Sequence, residues 1–149
     1  MANAICPDDS TWYMADYYLD KPRCYGLYPV PQNLSEPIEL LEVCTEKNAN
    51  AKPVSIHNAD EHNFIYNNTM DGGLIGLYLP SGKTYGIKNF KNMDGTTIDY
   101  APVTETSSKD TTLNSFMSAK MTFSPTPFEK YITSVKANVI CAMWAVRAP

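Results

Sequence analysis

Four cysteines, Cys6, Cys24, Cys44 and Cys141, constrain this sequence more than any other feature. None is close enough to another to form the Cys-x-x-Cys pair that binds zinc or carries redox chemistry. An even count fits disulfides in an oxidising compartment, and four cysteines allow three pairings. Cys6 and Cys24 bracket a short tyrosine-rich stretch. Cys44 lies in a helical pattern and Cys141 in an apolar segment near the end. A bridge between those two would close a long loop, worth roughly 4–5 kcal/mol in the chain-entropy model. It would tie the first helix to the final strand.

Length and charge bound the function classes. The chain has 149 residues and a formal net charge of −4. That is one domain's worth, with no basic face for nucleic acid or an anionic membrane. Hydrophobic residues make up 44% and charged ones 19%, enough to bury a core. Ten tyrosines and eleven prolines suit a loop-rich, β-containing fold better than a helix bundle. The longest apolar run, from Ala137 to Val146, is about half the roughly 20 residues a spanning helix needs, and reads as a buried strand. Met1 to Cys6 has no basic region followed by an apolar one, so a secreted form would be the mature chain. Two glycosylation sequons, at Asn33 and Asn67, fit secretion and predict surface positions near helix ends.

The chain reads as α+β. Residues 11–30 are aromatic and extended, as in a hairpin. Ser35 is the expected N-cap of a first helix, with Pro37 in its first turn and the end near Asn48. Val54 to Ile56 reads as a short strand. Asn58 to Glu61 looks like a capping box, with Phe64 and Ile65 on the buried face of a second helix. Leu74 to Leu79 is a strand, Pro80 to Gly82 a turn, Tyr85 to Phe90 a strand and Asn92 to Gly95 a turn. Thr96 to Asn114 is polar and reads as one long loop, a functional feature in a small domain. Phe116 to Phe123 and Tyr131 to Val146 read as closing strands. His57 and His62 stand at a poor spacing for one helix face and read as surface or capping residues. There is no Gly-x-Ser-x-Gly and no cysteine beside a convincing base, so no enzyme is expected.

One ordered set of motifs is specific. Val54-Ser-Ile-His-Asn-Ala-Asp-Glu61 is followed by Leu74-Ile-Gly-Leu77, Asn92-Met-Asp-Gly95 with Ile98-Asp-Tyr100, and Val139-Ile-Cys-Ala142. Together they resemble the C-type lectin domain, in its long form. In character they are nearest the divergent secreted lectin-like proteins of nematodes. The resemblance covers nearly the whole chain. It implies one domain over 1–149, with 1–30 as the amino-terminal hairpin, and two helices packed on small antiparallel sheets with a long polar loop. It implies bridges Cys6–Cys24 and Cys44–Cys141. It also implies a secreted module that binds a glycan or protein ligand.

The departures bear on function. Leu74 replaces the family's tryptophan. The family's second bridge is absent from both sides, with Ser118 near one cysteine position and Thr133 or Ser134 near the other. In sugar-binding members a loop triplet and a strand triplet ligate Ca²⁺ through oxygen atoms. Here those positions fall near Ser107-Ser108-Lys109 and Phe128-Glu129-Lys130. Lysine supplies no lone pair and repels the ion, so neither calcium nor any other cofactor is expected. The expected ligand contacts are Tyr100, Glu105, Ser107, Ser108, Lys109, Glu129 and Lys130. One alternative is a true lectin with a non-standard calcium site from Asp94, Asp99 and Glu105, otherwise read as solvated turn residues. The other is a structural or oligomerising extracellular domain.

Overall fold

A computed structural model describes residues 4–6, 13–15, 23–31, 33–69, 73–83, 89–100, 115–119, 128–130, 137–144 and 146–147. The elements run β1 (Ala4–Ile5), β2 (Tyr13–Ala15), β3 (Arg23–Pro29), α1 (Pro37–Lys47), β4 (Lys52–Pro53), α2 (Ala59–Thr69), β5 (Gly73–Leu79), β6 (Lys91–Asn92), β7 (Ser115–Ala119), β8 (Phe128–Lys130), β9 (Asn138–Trp144) and β10 (Val146–Arg147). β1 pairs with β10, bringing the two ends of the chain together. The larger sheet runs β2-β3-β9-β5-β7-β8, with β4 on β9 and β6 on β5. β2 and β3 form the expected amino-terminal hairpin, with Tyr13 opposite Tyr25.

β9 sits between β3 and β5 and is covered on both faces, which is why its sequence reads as one continuous apolar run. Its alternate residues divide two core clusters. Val139, Cys141 and Met143 join Leu40 and Cys44 of α1, while Ile140 and Ala142 join Ile65 of α2. β3 divides in the same way, with Cys24 and Tyr28 in the first cluster and Tyr25 in the second. The pairing of β5 with β7 shifts register between Leu74 and Tyr78. Within β5 the faces alternate in the ordinary way: Leu74 and Tyr78 belong with α1, and Ile75, Leu77 and Leu79 with α2. Both bridges lie in the first cluster: Cys6–Cys24 ties β1 to β3, and Cys44–Cys141 ties α1 to β9.

Several local expectations shift. Glu36, rather than Ser35, is the N-cap of α1. Glu39 reaches back to accept from the Glu36 N–H at 3.0 Å, and from the Ser35 N–H and hydroxyl at 3.2 and 2.9 Å. The Glu36 and Ser35 donors hold the Glu39 carboxyl below the ordinary glutamate range. The short strand is Lys52–Pro53. Val54 carries on by donating to the Ile140 carbonyl at 2.9 Å and accepting from the Gly76 N–H at 2.7 Å. Asn89 and Phe90 do not continue a strand; the pairing is made by Lys91 and Asn92, against Tyr78 and Leu77. The strand expected over Tyr85 to Phe90 otherwise lies outside the described residues. So do residues 101–114 of the long loop, 120–123 of the first closing strand and 131–136 of the second.

Two turn glycines have left-handed backbone: Gly82 at φ 79° and Gly95 at φ 80°. Gly76 is required for another reason. A Cβ there would stand 2.7 Å from the Pro53 carbonyl oxygen, so the Ile-Gly-Leu motif marks a close backbone crossing.

Candidate functional site

The polar residues that position the start of the long loop are set by the first turn of α2. Asn58 caps the helix, its side-chain oxygen accepting the Glu61 N–H at 2.8 Å. The Glu61 side chain turns inward and is completely buried. One carboxylate oxygen accepts the His57 N–H at 2.9 Å. The other accepts Arg23 Nη1 and the Tyr25 hydroxyl, each at 2.6 Å. Arg23 also donates to the Ser55 carbonyl at 3.1 Å. This buried ion pair joins β3, the 55–57 segment and α2. Sequence reasoning read Glu61 only as a capping residue.

A second network lies outside the first. Asp94, in the turn after β6, accepts the Ser55 hydroxyl, and also the Thr96 N–H at 3.0 Å and hydroxyl at 2.5 Å. Burial opposes ionisation of Asp94, but the Ser55 and Thr96 donors outweigh it and hold the carboxyl below the ordinary aspartate range. His57 places Nε2 2.8 Å from Ser55 Oγ and Nδ1 2.7 Å from Asp99 Oδ1. Ser55, His57 and Asp99 thus have the connectivity of a Ser-His-Asp triad, without its chemistry. The one hydroxyl proton of Ser55 is directed at Asp94 rather than at the imidazole of His57. Ser55 is also only 1% exposed, beyond the reach of a substrate.

The next residue is held by the other histidine. His62 is completely buried, and its Nδ1 lies 3.0 Å from the Tyr100 hydroxyl. The two rings meet edge to face, with centroids 5.7 Å apart. Burial pushes the Tyr100 phenol up. The chain's two histidines therefore hold consecutive residues, Asp99 and Tyr100, at the root of the loop.

These contacts correct the readings of the two histidines and of Asp94. His57 is part-buried and braces the loop, and His62 is a core residue rather than a surface or capping one. Asp94 is part-buried and tied to Ser55 and Thr96 rather than simply solvated, whereas Asp99 is exposed as expected and pairs with His57. Tyr100 is a half-buried support at the loop root, with Ile98 packed beside it on the α2 core cluster.

The other proposed contacts are not brought together among the described residues. Glu105, Ser107, Ser108 and Lys109 lie outside them. Glu129 and Lys130 are on β8, their backbones paired with Ser118 and Met117. Asn33 is exposed just before α1, and Asn67 is exposed in the last turn of α2. Among the described residues, no group of three or more His, Cys, Asp or Glu side chains could hold a metal ion, and no helix is long and apolar enough to cross a membrane.

No family model and no curated protein sequence matches the chain. The solved structures give a clear answer on the fold. A calcium-independent type II antifreeze protein superposes with a TM-score of 0.63 at 21% identity, over 97% of this chain and 98% of that one. Human lithostathine superposes at 0.62 and 15% identity, over 94% and 91%. The carbohydrate-recognition domain of the mouse scavenger receptor C-type lectin superposes at 0.57 and 17% identity, over 97% and 100%. The chain has the C-type lectin-like fold, in the α+β class.

Proposed function

We propose that this chain is a single secreted domain that binds a carbohydrate or protein ligand through its long loop, without a calcium-dependent sugar site. The fold and the two disulfides, which persist in oxidising compartments, support an extracellular binding module. The ion that the fold family implies is calcium, which needs six to eight oxygen ligands. The residues at that site, Ser107, Ser108 and Lys109 with Phe128, Glu129 and Lys130, supply one carboxylate against two ammonium groups. That donor set does not fit the ion, and no step of recognition is routed through it.

The observation that carries this reading is the brace beneath the loop. Asp99 and Tyr100 are held by His57 and His62, and Asp94 by Ser55 and Thr96. Asp94, and Asp99 through one oxygen, already have internal partners, which argues against the alternative calcium site built from Asp94, Asp99 and Glu105. Tyr100, Glu105, Ser107, Ser108, Lys109, Glu129 and Lys130 remain the proposed contacts, since tyrosine and serine combine rigid area with adaptable hydrogen bonds.

The test is an array of glycans and extracellular proteins, probed once in calcium and once in chelator. Binding that survives the chelator is the expected result. Binding lost in chelator would make the chain a calcium-dependent lectin, and no binding in either condition would favour a structural role.

A further inference from the structure

α2 carries the sequon Asn67-Asn68-Thr69 in its last turn, with Asn67 exposed. Beside it lies a shallow, solvent-open apolar depression lined chiefly by Tyr25, Leu27, Phe64, Ile65, Asn68 and Ile140. Its walls are apolar. The amide nitrogen of Asn68 donates to the Phe64 carbonyl at 2.8 Å. Phe64 and Tyr25 form a tilted aromatic pair along the wall, with centroids 5.4 Å apart.

Helix geometry places Asn67 one turn after Phe64, at the outer edge of this wall. Residues three apart share a face, and a helical side chain leans over the turn N-terminal to its own Cα. A group attached to Asn67 therefore lies above Phe64. We propose that Asn67 is N-glycosylated and that the first N-acetylglucosamine packs its apolar face on Phe64, covering the groove between α2 and β3. The inference rests on the secreted reading above. The occupant is fixed by covalent chemistry. The amide nitrogen of Asn67 gives up one proton to solvent and joins the anomeric carbon of the first sugar of a lipid-linked oligosaccharide donor, while the anomeric C–O bond breaks and the lipid pyrophosphate leaves with its electrons. One face of that sugar is lined by C–H bonds, and burying it against an aromatic ring removes apolar surface from water on both sides.

The test uses the full chain behind a secretory leader, with Asn33→Gln to leave one sequon. Mass mapping reads occupancy of Asn67. Melting is then compared among the intact glycoprotein, the form trimmed by an endoglycosidase to one N-acetylglucosamine, and Asn67→Gln. The expected result is an occupied Asn67, with the single sugar retaining a rise of roughly 2–4 °C over Asn67→Gln. That rise disappears in Phe64→Leu, which keeps an apolar core residue but removes the ring. Should Phe64→Leu not fold, ring-current shifts of the sugar protons in the trimmed form report the same contact. A secreted, disulfide-bonded protein with Asn67 bare, or with a glycan that leaves melting and sugar shifts unchanged, overturns the inference alone. Failure of the chain to leave the cell in oxidised form overturns both the inference and the secreted reading.

Discussion

Replacing Glu61 with alanine should be among the most damaging single changes in this protein. The substitution removes the acceptor of three hydrogen bonds: from Arg23 Nη1 at 2.6 Å, the Tyr25 hydroxyl at 2.6 Å and the His57 N–H at 2.9 Å. Arg23 is only 7% exposed and keeps the Ser55 carbonyl, which cannot neutralise its charge. Removing one partner of a buried ion pair costs about 3–5 kcal/mol. Against a total stability of about 5–15 kcal/mol, that is a large fraction. At roughly 2–4 °C per kcal/mol, the midpoint should fall by about 6–20 °C. The assay is thermal and urea unfolding of the oxidised protein, followed by circular dichroism. The double variant Arg23→Met with Glu61→Leu should recover most of the loss, because no buried charge is left uncompensated. A loss below about 1 kcal/mol for Glu61→Ala, the range of an exposed pair, would refute the buried-network argument.

Three further predictions concern the frame. Replacing both Cys44 and Cys141 with alanine should cost more than replacing Cys6 and Cys24, because the bridges span 97 and 18 residues; chain entropy gives about 4–5 against about 3 kcal/mol, read by urea unfolding. Gly76→Ala should destabilise by at least the roughly 1–3 kcal/mol typical of overpacking, since the new methyl would meet the Pro53 carbonyl at 2.7 Å; a neutral melt would contradict the crossing. The Asp94 carboxyl has a depressed folded-state pKa, so its stabilisation is present above the unfolded value near 3.9 and lost as pH falls through the folded one. Unfolding of Asp94→Asn should therefore depend less on pH below about 4 than that of the wild type, and parallel profiles would refute the assignment.

The sequence carried those features of the fold that depend on local pattern or ordered motif. The Asn58 cap of α2, the Pro80–Gly82 turn and the Asn92–Gly95 turn each need only neighbouring residues, and each forms; the reciprocal half of the expected capping box does not, because the Glu61 carboxylate accepts the His57 N–H instead of the Asn58 N–H. The cysteine pairing followed from the resemblance, because spacing alone leaves three pairings. The candidate site was less legible. Asn58 to Glu61 announces a helix start, but nothing local says that the Glu61 side chain turns inward to Arg23, 38 residues away. His62 falls on the buried face of α2 beside Glu61 and Ile65, a face too polar to register as apolar periodicity. Ser35 was read as the N-cap because serine suits it, whereas Glu39 gathers both the Ser35 and Glu36 donors and moves the cap one residue on. Asp94 and Asp99 have the composition of solvated turns; Ser55 and His57, which engage them, are about 40 residues earlier.

Titration calorimetry with calcium at millimolar concentration tests the central claim most directly. It asks whether the residues around Ser107–Lys109 and Phe128–Lys130 hold the ion on which the family's sugar recognition depends. The expected result is no heat of binding, with a melting midpoint that is the same in calcium and in chelator. A saturable heat together with a stabilisation of several degrees, both abolished by Glu129→Ala, would contradict the account and identify a calcium-dependent lectin.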